Sequence, residues 1–230
     1  MNISRCVLAL GPLLLGLSVT PVTYAADGLA ASEAPCYKLP DAKAAVAACT
    51  VAAAQGHAGA AYRLARIYNT GMGAQRDMKQ AAMYYKRAGE LGYVHANYLY
   101  AIQFFEGDEQ NKDPALVYRY MRLAADRGSA SAQAFLAFLH QNGEGVKRDS
   151  VEAWTRYELA VRGVQTNAAY VRANEVPLQR DRPDELSWRQ SEISNLSNIA
   201  EIRDNLGKQM SRKQHEDAKL RADAWRVNAS

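Results

Sequence analysis

The side chains of this 230-residue chain that could do chemistry do not converge on a reaction. His57, His95, His140 and His215 share no metal-ligand spacing. His215-Glu216 lacks the second histidine that a zinc-protease helix places one turn on. Gly71-Met72-Gly73 and Gly143-Glu144-Gly145 each hold two glycines of a phosphate loop, yet neither continues as G-x-G-x-x-G and neither follows a strand. No serine has lysine three residues on, which removes the nucleophile motif of the penicillin-recognising enzymes. The acidic residues are numerous, but Asp41, Asp77, Asp113 and Asp149 stand at equal intervals of 36. Even spacing along a chain points to a repeated structural task, not to a clustered site. No catalytic, cofactor or metal residues are expected.

That interval recurs elsewhere. Gly71, Gly107 and Gly143 keep it, as do Gly56, Gly92 and Gly128. So do Ala52, Ala88, Ala124 and Ala160, and Ala60, Ala96, Ala132 and Ala168. A repeat of this length is one supersecondary unit that buries its apolar face only by stacking on its neighbours. The fold class is therefore all-α, an α/α superhelical solenoid of helix-turn-helix repeats with helical caps. In the first unit Ala60, Leu64, Ala65 and Tyr68 make one apolar helix face. Thr70 to Gly73 stop that helix, and Asp77 stands where the next helix needs an N-cap. Ala81, Tyr85 and Ala88 make the facing stripe of the second helix, whose small alanines allow close approach. Asp113-Pro114 adds a proline at the first helical position of the second unit.

Projected one period back, Asp41 to Gln55 is a lone second helix that caps the stack. Projected forward, the third unit ends at Gly163 and Ala168 opens a fourth first helix that fades near Pro177. Gln179 to Pro183 reads as a polar linker, followed by a long helix to about Leu206 and, from the capping-box spacing Ser211 to Gln214, a final helix to about Val227. The expected divisions are 1–25, 26–56, 57–163 and 164–230.

Residues 1–25 carry a lone Arg5, an apolar run from Cys6 to Val19, and Thr23-Tyr24-Ala25 with small residues at −3 and −1. That is a signal peptide, with cleavage before Ala26 and a periplasmic or secreted product. The run is too short and wrongly flanked for a membrane span. The formal charge of +4 on the full chain is too weak to imply nucleic acid. An exported chain meets an oxidising compartment, so Cys36 and Cys49 are expected to form a disulfide worth roughly 3 kcal/mol in the chain-entropy account.

The string A-x3-L-A-x2-Y-x2-G-x-G-x3-D-x3-A-x3-Y-x2-A from Ala60 to Ala88 resembles the Sel1-like repeat, a relative of the tetratricopeptide repeat. Three copies cover about 57–163. The second is degenerate, with Tyr100 for the leucine and Glu109 for the second glycine. The chain end, from Leu206 and Met210 through Gln214, Ala218 and Trp225, also looks like the tail of exported members. The resemblance implies a non-enzymatic adaptor or scaffold for a protein or peptide partner in the bacterial envelope. It leaves open a structural part of an envelope machine, such as the small periplasmic protein of the sodium-driven flagellar motor. A hydrolase is disfavoured, because the cysteine-rich relatives linked to β-lactams carry cysteine pairs within their repeats and this chain does not.

In such a stack the first helices line the concave face. Their non-packing stripe gives Tyr62, Arg66 and Asn69 in the first copy, Tyr98, Ile102 and Phe105 in the second, and Ala134, Phe138 and Gln141 in the third. Aromatic residues and arginine are the types enriched at interface hot spots. Two readings of the rings stand side by side: contacts for a partner, or packing between adjacent repeats. The mature protein is expected to begin at Ala26. N-terminal sequencing of the product checks this, and an intact Met1 on cytosolic protein overturns it.

Overall fold

A computed structural model describes residue 36, residues 42–106 and residues 113–227. The proposed signal peptide with its cleavage site, the capping role of Asp41, and the second-copy turn at Gly107 and Glu109 lie outside the described residues. Everything described is helix or connection: α1 (Ala42–Ala54), α2 (Ala58–Thr70), α3 (Met78–Glu90), α4 (Val94–Phe105), α5 (Pro114–Asp126), α6 (Ala130–Asn142), α7 (Ser150–Asp181), α8 (Pro183–Asn195), α9 (Ile199–Gly207) and α10 (Arg212–Ala224). The fold is a helical solenoid. Helices α2/α3, α4/α5 and α6 with the start of α7 are the repeat pairs, and α1 stacks on the first of them.

The repeated columns account for the packing. Ala52, Ala88, Ala124 and Ala160 are buried, as are Ala60, Ala96 and Ala132. One larger side chain per unit fills the space between paired helices: Tyr85, Met121 and Tyr157, with Cys49 in the equivalent place on α1. Cys49 is joined to Cys36 across a Cα–Cα distance of 5.2 Å, so the disulfide occupies the position that a tyrosine holds one repeat later. The first and third interhelix turns are alike. Gly71 and Gly143 cap α2 and α6 in the left-handed region, at φ 77° and 78°. The Asp77 and Asp149 amides then donate to the Tyr68 and His140 carbonyls, each at 2.9 Å.

The aspartate column does what its spacing suggests. Asp77 accepts from the Lys79 and Gln80 amides, Asp149 from the Val151 and Glu152 amides, and Asp113 from the Leu116 amide. Each carboxylate satisfies orphan donors and sits at a positive helix end.

The C-terminal third departs from expectation in three places, each with a local cause. The third unit does not end at Gly163, because α7 runs unbroken past it. The earlier units end on Gly56, Gly92 and Gly128, at φ 92°, 97° and 93°, with the next amide reaching back to the Ala52, Ala88 or Ala124 carbonyl. The fourth member of that column is Val164. A β-branched residue does not adopt positive φ, so the Schellman ending is lost and the helix continues. The expected polar linker at 179–183 is helical as far as Asp181, and the interruption falls earlier, at Asn174 (φ −129°). Pro177 causes it, since its ring clashes with the carbonyl four residues back and it lacks an N–H. The Asn174 side-chain amide donates to the Tyr170 carbonyl at 2.9 Å. Lastly, the single helix expected over 183–206 is two, α8 and α9, parted by a turn at Leu196 to Asn198.

The terminal helices cover the end of the stack, as a solenoid requires. Trp154 of α7 packs edge-on to His215 at 4.7 Å, and the Thr155 hydroxyl donates to the Ala218 carbonyl at 3.2 Å. Arg203 pairs with Glu158, and Arg162 with Asp223. The α10 capping box is formed: the Ser211 hydroxyl accepts from the Gln214 amide and the Gln214 side chain accepts from the Ser211 amide.

Two predictions test this construction. Asp77→Ala and Asp149→Ala should each lower stability by about 1 kcal/mol in urea titrations, with unchanged helical signal in the native baseline. Gly163→Ala should destabilise, even though alanine ordinarily adds about 1 kcal/mol to a helix interior over glycine. A Cβ there would lie 2.9 Å from the Ala130 Cβ, so the α6–α7 contact must open. A melting temperature equal to or above that of the wild type overturns this reading.

Candidate functional site: the concave face and helix α8

The first helices of the three units, α2, α4 and α6, present equivalent positions at intervals of 36: Gly59, His95 and Ser131 near their starts, and Arg66, Ile102 and Phe138 toward their ends. Helix α8 lies across the early part of this face. Its Asp184 carboxylate pairs with Arg66 of α2 at 2.5 Å. Its Trp188 ring stacks on His95 of α4 at 4.9 Å between centroids and 11° between planes. Its Glu192 accepts from the Ser131 amide of α6 at 2.6 Å and from the Ser129 hydroxyl at 3.3 Å.

Glu192 is thus a carboxylate at a helix N-terminus, where free N–H groups and the helix dipole favour negative charge. Its second oxygen accepts from the Asn167 side chain of α7. The Asn167 side-chain oxygen in turn accepts from Arg189. Arg189 also pairs with Glu185 at 2.9 Å, and Glu185 with Arg182 at 2.9 Å. The Arg189 guanidinium lies 4.4 Å over the Tyr170 ring. Glu185, Arg189 and Glu192 are all buried. Burial pushes the Glu192 carboxyl above its ordinary range, opposed by the Ser131 hydrogen bond and the charge of Arg189. Buried charges persist only when paired and hydrogen-bonded, which this network provides.

His95 is held in the opposite sense. Burial, with Arg66 and Arg189 nearby, lowers its pKa from 6.5 to about 3, so the ring that stacks on Trp188 is neutral.

Beyond α8 the later part of the face stays open. Phe105 meets Phe135 edge-on at 4.7 Å, and Phe135 lies 6.2 Å from Phe138, which is 37% exposed. No candidate cation cluster of three or more histidine, cysteine or acidic residues occurs among the described residues. Among them, too, no helix is long and apolar enough to cross a membrane.

The Sel1 repeat family matches residues 58–93, 94–129 and 130–161. The chain carries three Sel1 repeats. The crystal structure of a Sel1 repeat protein from Oxalobacter formigenes is similar, with a TM-score of 0.51 at 25% identity over 70% of this chain. A second similar structure is c5321, described as a protective antigen present in uropathogenic Escherichia coli strains displaying an SLR fold. It gives a TM-score of 0.48 at 26% identity over 87% of this chain. The chain spans 64% and 43% of the length of these two proteins. No curated protein gives a significant match. Sel1 repeats generally serve as scaffolds for protein–protein interaction.

The Sel1 stack divides the nine stripe residues into four groups. Tyr62 is corrected from a groove-facing ring to a core ring: it is 2% exposed, stacked on Tyr93 at 4.2 Å and tilted against Tyr85 at 6.0 Å. Ala134 is buried as well. Arg66 and Tyr98 belong to the α8-covered part; Tyr98 is half-buried and stacked on His95 at 5.6 Å. Asn69 and Gln141 are half-buried and occupied locally. The Asn69 side chain hydrogen-bonds Tyr85, and the Gln141 side chain accepts from the Tyr157 hydroxyl at 2.8 Å. Ile102, Phe105 and Phe138 remain on the open part, joined by Phe135, which the stripe pattern missed because it lies one position after Ala134.

Equally hidden from periodicity were Asp184, Trp188 and Glu192. Their spacing of four marks one helix face, yet nothing in α8 itself names the surface that face meets.

Two outcomes follow. Tyr62→Ala should cost about 3–5 kcal/mol of folding stability in urea or thermal unfolding, the cost of emptying a core ring site. His95 should make stability fall with acid. The unfolded state takes up a proton near 6.5 that the folded state refuses until about 3, so stability present above the unfolded value is lost as pH falls through that window. The slope approaches about 1.4 kcal/mol per pH unit. His95→Phe keeps a ring against Trp188 and removes the titration. The difference between wild-type and variant stability from pH 7 to pH 4 isolates this term, and parallel curves refute it.

Proposed function

We propose that this Sel1-repeat chain is an exported, non-enzymatic adaptor that holds a protein partner against the open part of its concave face. The observation that carries the reading is the aromatic patch of Phe105, Phe135 and Phe138 beside Ile102, placed on the first helices of the second and third repeats. A half-open cluster of large rings on a rigid helical frame supplies contact area at low entropic cost, and phenylalanine is among the types enriched at protein interfaces. Export is supported by the apolar N-terminal run and by the disulfide between Cys36 and Cys49, a bond that persists in oxidising compartments. The absence of a convergent nucleophile, base or metal set in the sequence favours a binding role over turnover.

The test compares wild type with Phe138→Ala in affinity capture from an envelope extract, followed by titration of the captured protein. Phe138 is the most exposed of the three rings, so its truncation should leave the melting temperature nearly unchanged. Binding should weaken about thirtyfold, the value of a 2 kcal/mol hot spot. Capture that is indifferent to Phe138→Ala and Phe105→Ala refutes the patch as the partner site.

A further inference from the structure

Helix α8 meets each repeat through one side chain, and the three are spaced by four: Asp184 on Arg66, Trp188 on His95, and Glu192 on Ser129 and Ser131. His95 and Ser131 hold the same place in successive repeats, whereas Arg66 lies near the end of its helix. The helix therefore crosses the face diagonally. What it covers is a series of complementary features: a cation, the flat face of a neutral imidazole, and the positive start of α6 with a donating amide. Read in the same order, the complementary occupant is a helix presenting acid, aromatic and acid at i, i+4 and i+8.

The hold on α8 is uneven. On the side toward α7 and the start of α6, Glu185, Arg189, Glu192 and Asn167 satisfy one another along the length of the helix, and Leu186 packs with Val171 and Leu178. On the side toward α2 and α4, Trp188 Nε1, His95 Nδ1 and the second Asp184 oxygen are buried without a hydrogen-bond partner. Buried polar groups without partners cost free energy in the docked state that water restores on release. The segment is also bounded by interruptions, the kink at Asn174 and the turn at Leu196 to Asn198.

We propose that the surface beneath α8 is a second recognition groove, for an amphipathic helix of a protein partner with the pattern acidic-x3-aromatic-x3-acidic, and that α8 is its resident occupant, lifted off α2 and α4 when the partner binds. The inference rests on the reading of the chain as a scaffold for protein partners but uses a different surface from the Phe105–Phe135–Phe138 patch. Because α8 is tethered, the partner competes with a high effective concentration of the resident helix, so it must bind the groove more tightly than the three α8 anchors do.

The probe is a fluorescent synthetic peptide with the α8 sequence, residues 181–197, titrated against the full chain. Against wild type, with its own α8 in place, binding should be weak. Against the double variant Asp184→Ala/Trp188→Ala, whose resident helix has lost two anchors, it should be at least tenfold tighter. Adding Arg66→Ala should reverse most of that gain, and more so at low salt, where the part-buried charge pair is least screened. Phe138→Ala should leave peptide binding unchanged, which separates this groove from the open patch.

Amide hydrogen exchange on the wild-type chain gives the second readout and does not depend on any variant folding. Amides of residues 187–190, which are past the unbonded first turn, should exchange through a local opening, well before those of α4 and α6. Exchange of α8 only together with α4 and α6 makes it permanent core and overturns the proposal. So does a double variant that folds yet binds the peptide no better than wild type, or peptide binding that is lost with Phe138→Ala. A wild-type dimer that dissociates on Trp188→Ala would assign the groove to α8 of a second copy and likewise overturn the partner named here.

Discussion

Helix α1 and the first two repeats each end where one residue takes a positive φ, and the placing of the next first helix follows from that reversal. Gly56, Gly92 and Gly128 adopt left-handed backbone at intervals of 36, and each lets the next amide bond back to the preceding helix. The reversal sets the angle at which the next first helix returns. The alanine columns can then meet at close range, leaving room for one large side chain per unit. Where the column reads Val164, the reversal fails and two expected helices fuse into α7. One β-branched residue thereby marks the end of the repeat array, because valine disfavours the left-handed backbone that the glycine column adopts.

The fused helix changes what lies on the concave face. Running on past Gly163, α7 carries the chain to the Pro177-induced kink and delivers α8 back across α2, α4 and α6. A turn at 163 would have begun another repeat pair instead. The charged network of Glu185, Arg189, Glu192 and Asn167 belongs to this return. It lies between α7, α8 and the start of α6, and it is buried although every member is polar. An unpaired charge there would be far more costly than the paired set, so the network specifies one docking geometry for α8.

The face that results has two parts of different character. Under α8 it is polar and ionic at both ends with a stacked ring pair between. Beyond α8 it is a patch of phenylalanines with one edge in solvent. The frame that positions both parts is the same set of buried alanine contacts between the repeat helices.

Much of this was legible in the residues alone. The period, the helix-turn-helix unit, the caps at Asp77, Asp113 and Asp149, the capping box at Ser211 and the pairing of Cys36 with Cys49 all depend on neighbours close in sequence. Local hydrogen bonds and side-chain periodicity are enough to specify such features. The Sel1 resemblance rests on the same local columns. The fate of Tyr62 was not legible, because a tyrosine one stripe away from the core looks identical in sequence whether the adjacent repeat buries it or not; Tyr93 and Tyr85 decide that in three dimensions. The path of α8 was hidden for the same reason. Its anchors lie 118, 93 and 61 residues from their partners when measured from Arg66 to Asp184, His95 to Trp188 and Ser131 to Glu192. Contacts over such separations leave no periodic trace, since either side chain alone is an ordinary surface residue. Only the tertiary structure, by bringing the charge, the ring and the helix end opposite their complements, determines that α8 covers part of the face made by α2, α4 and α6.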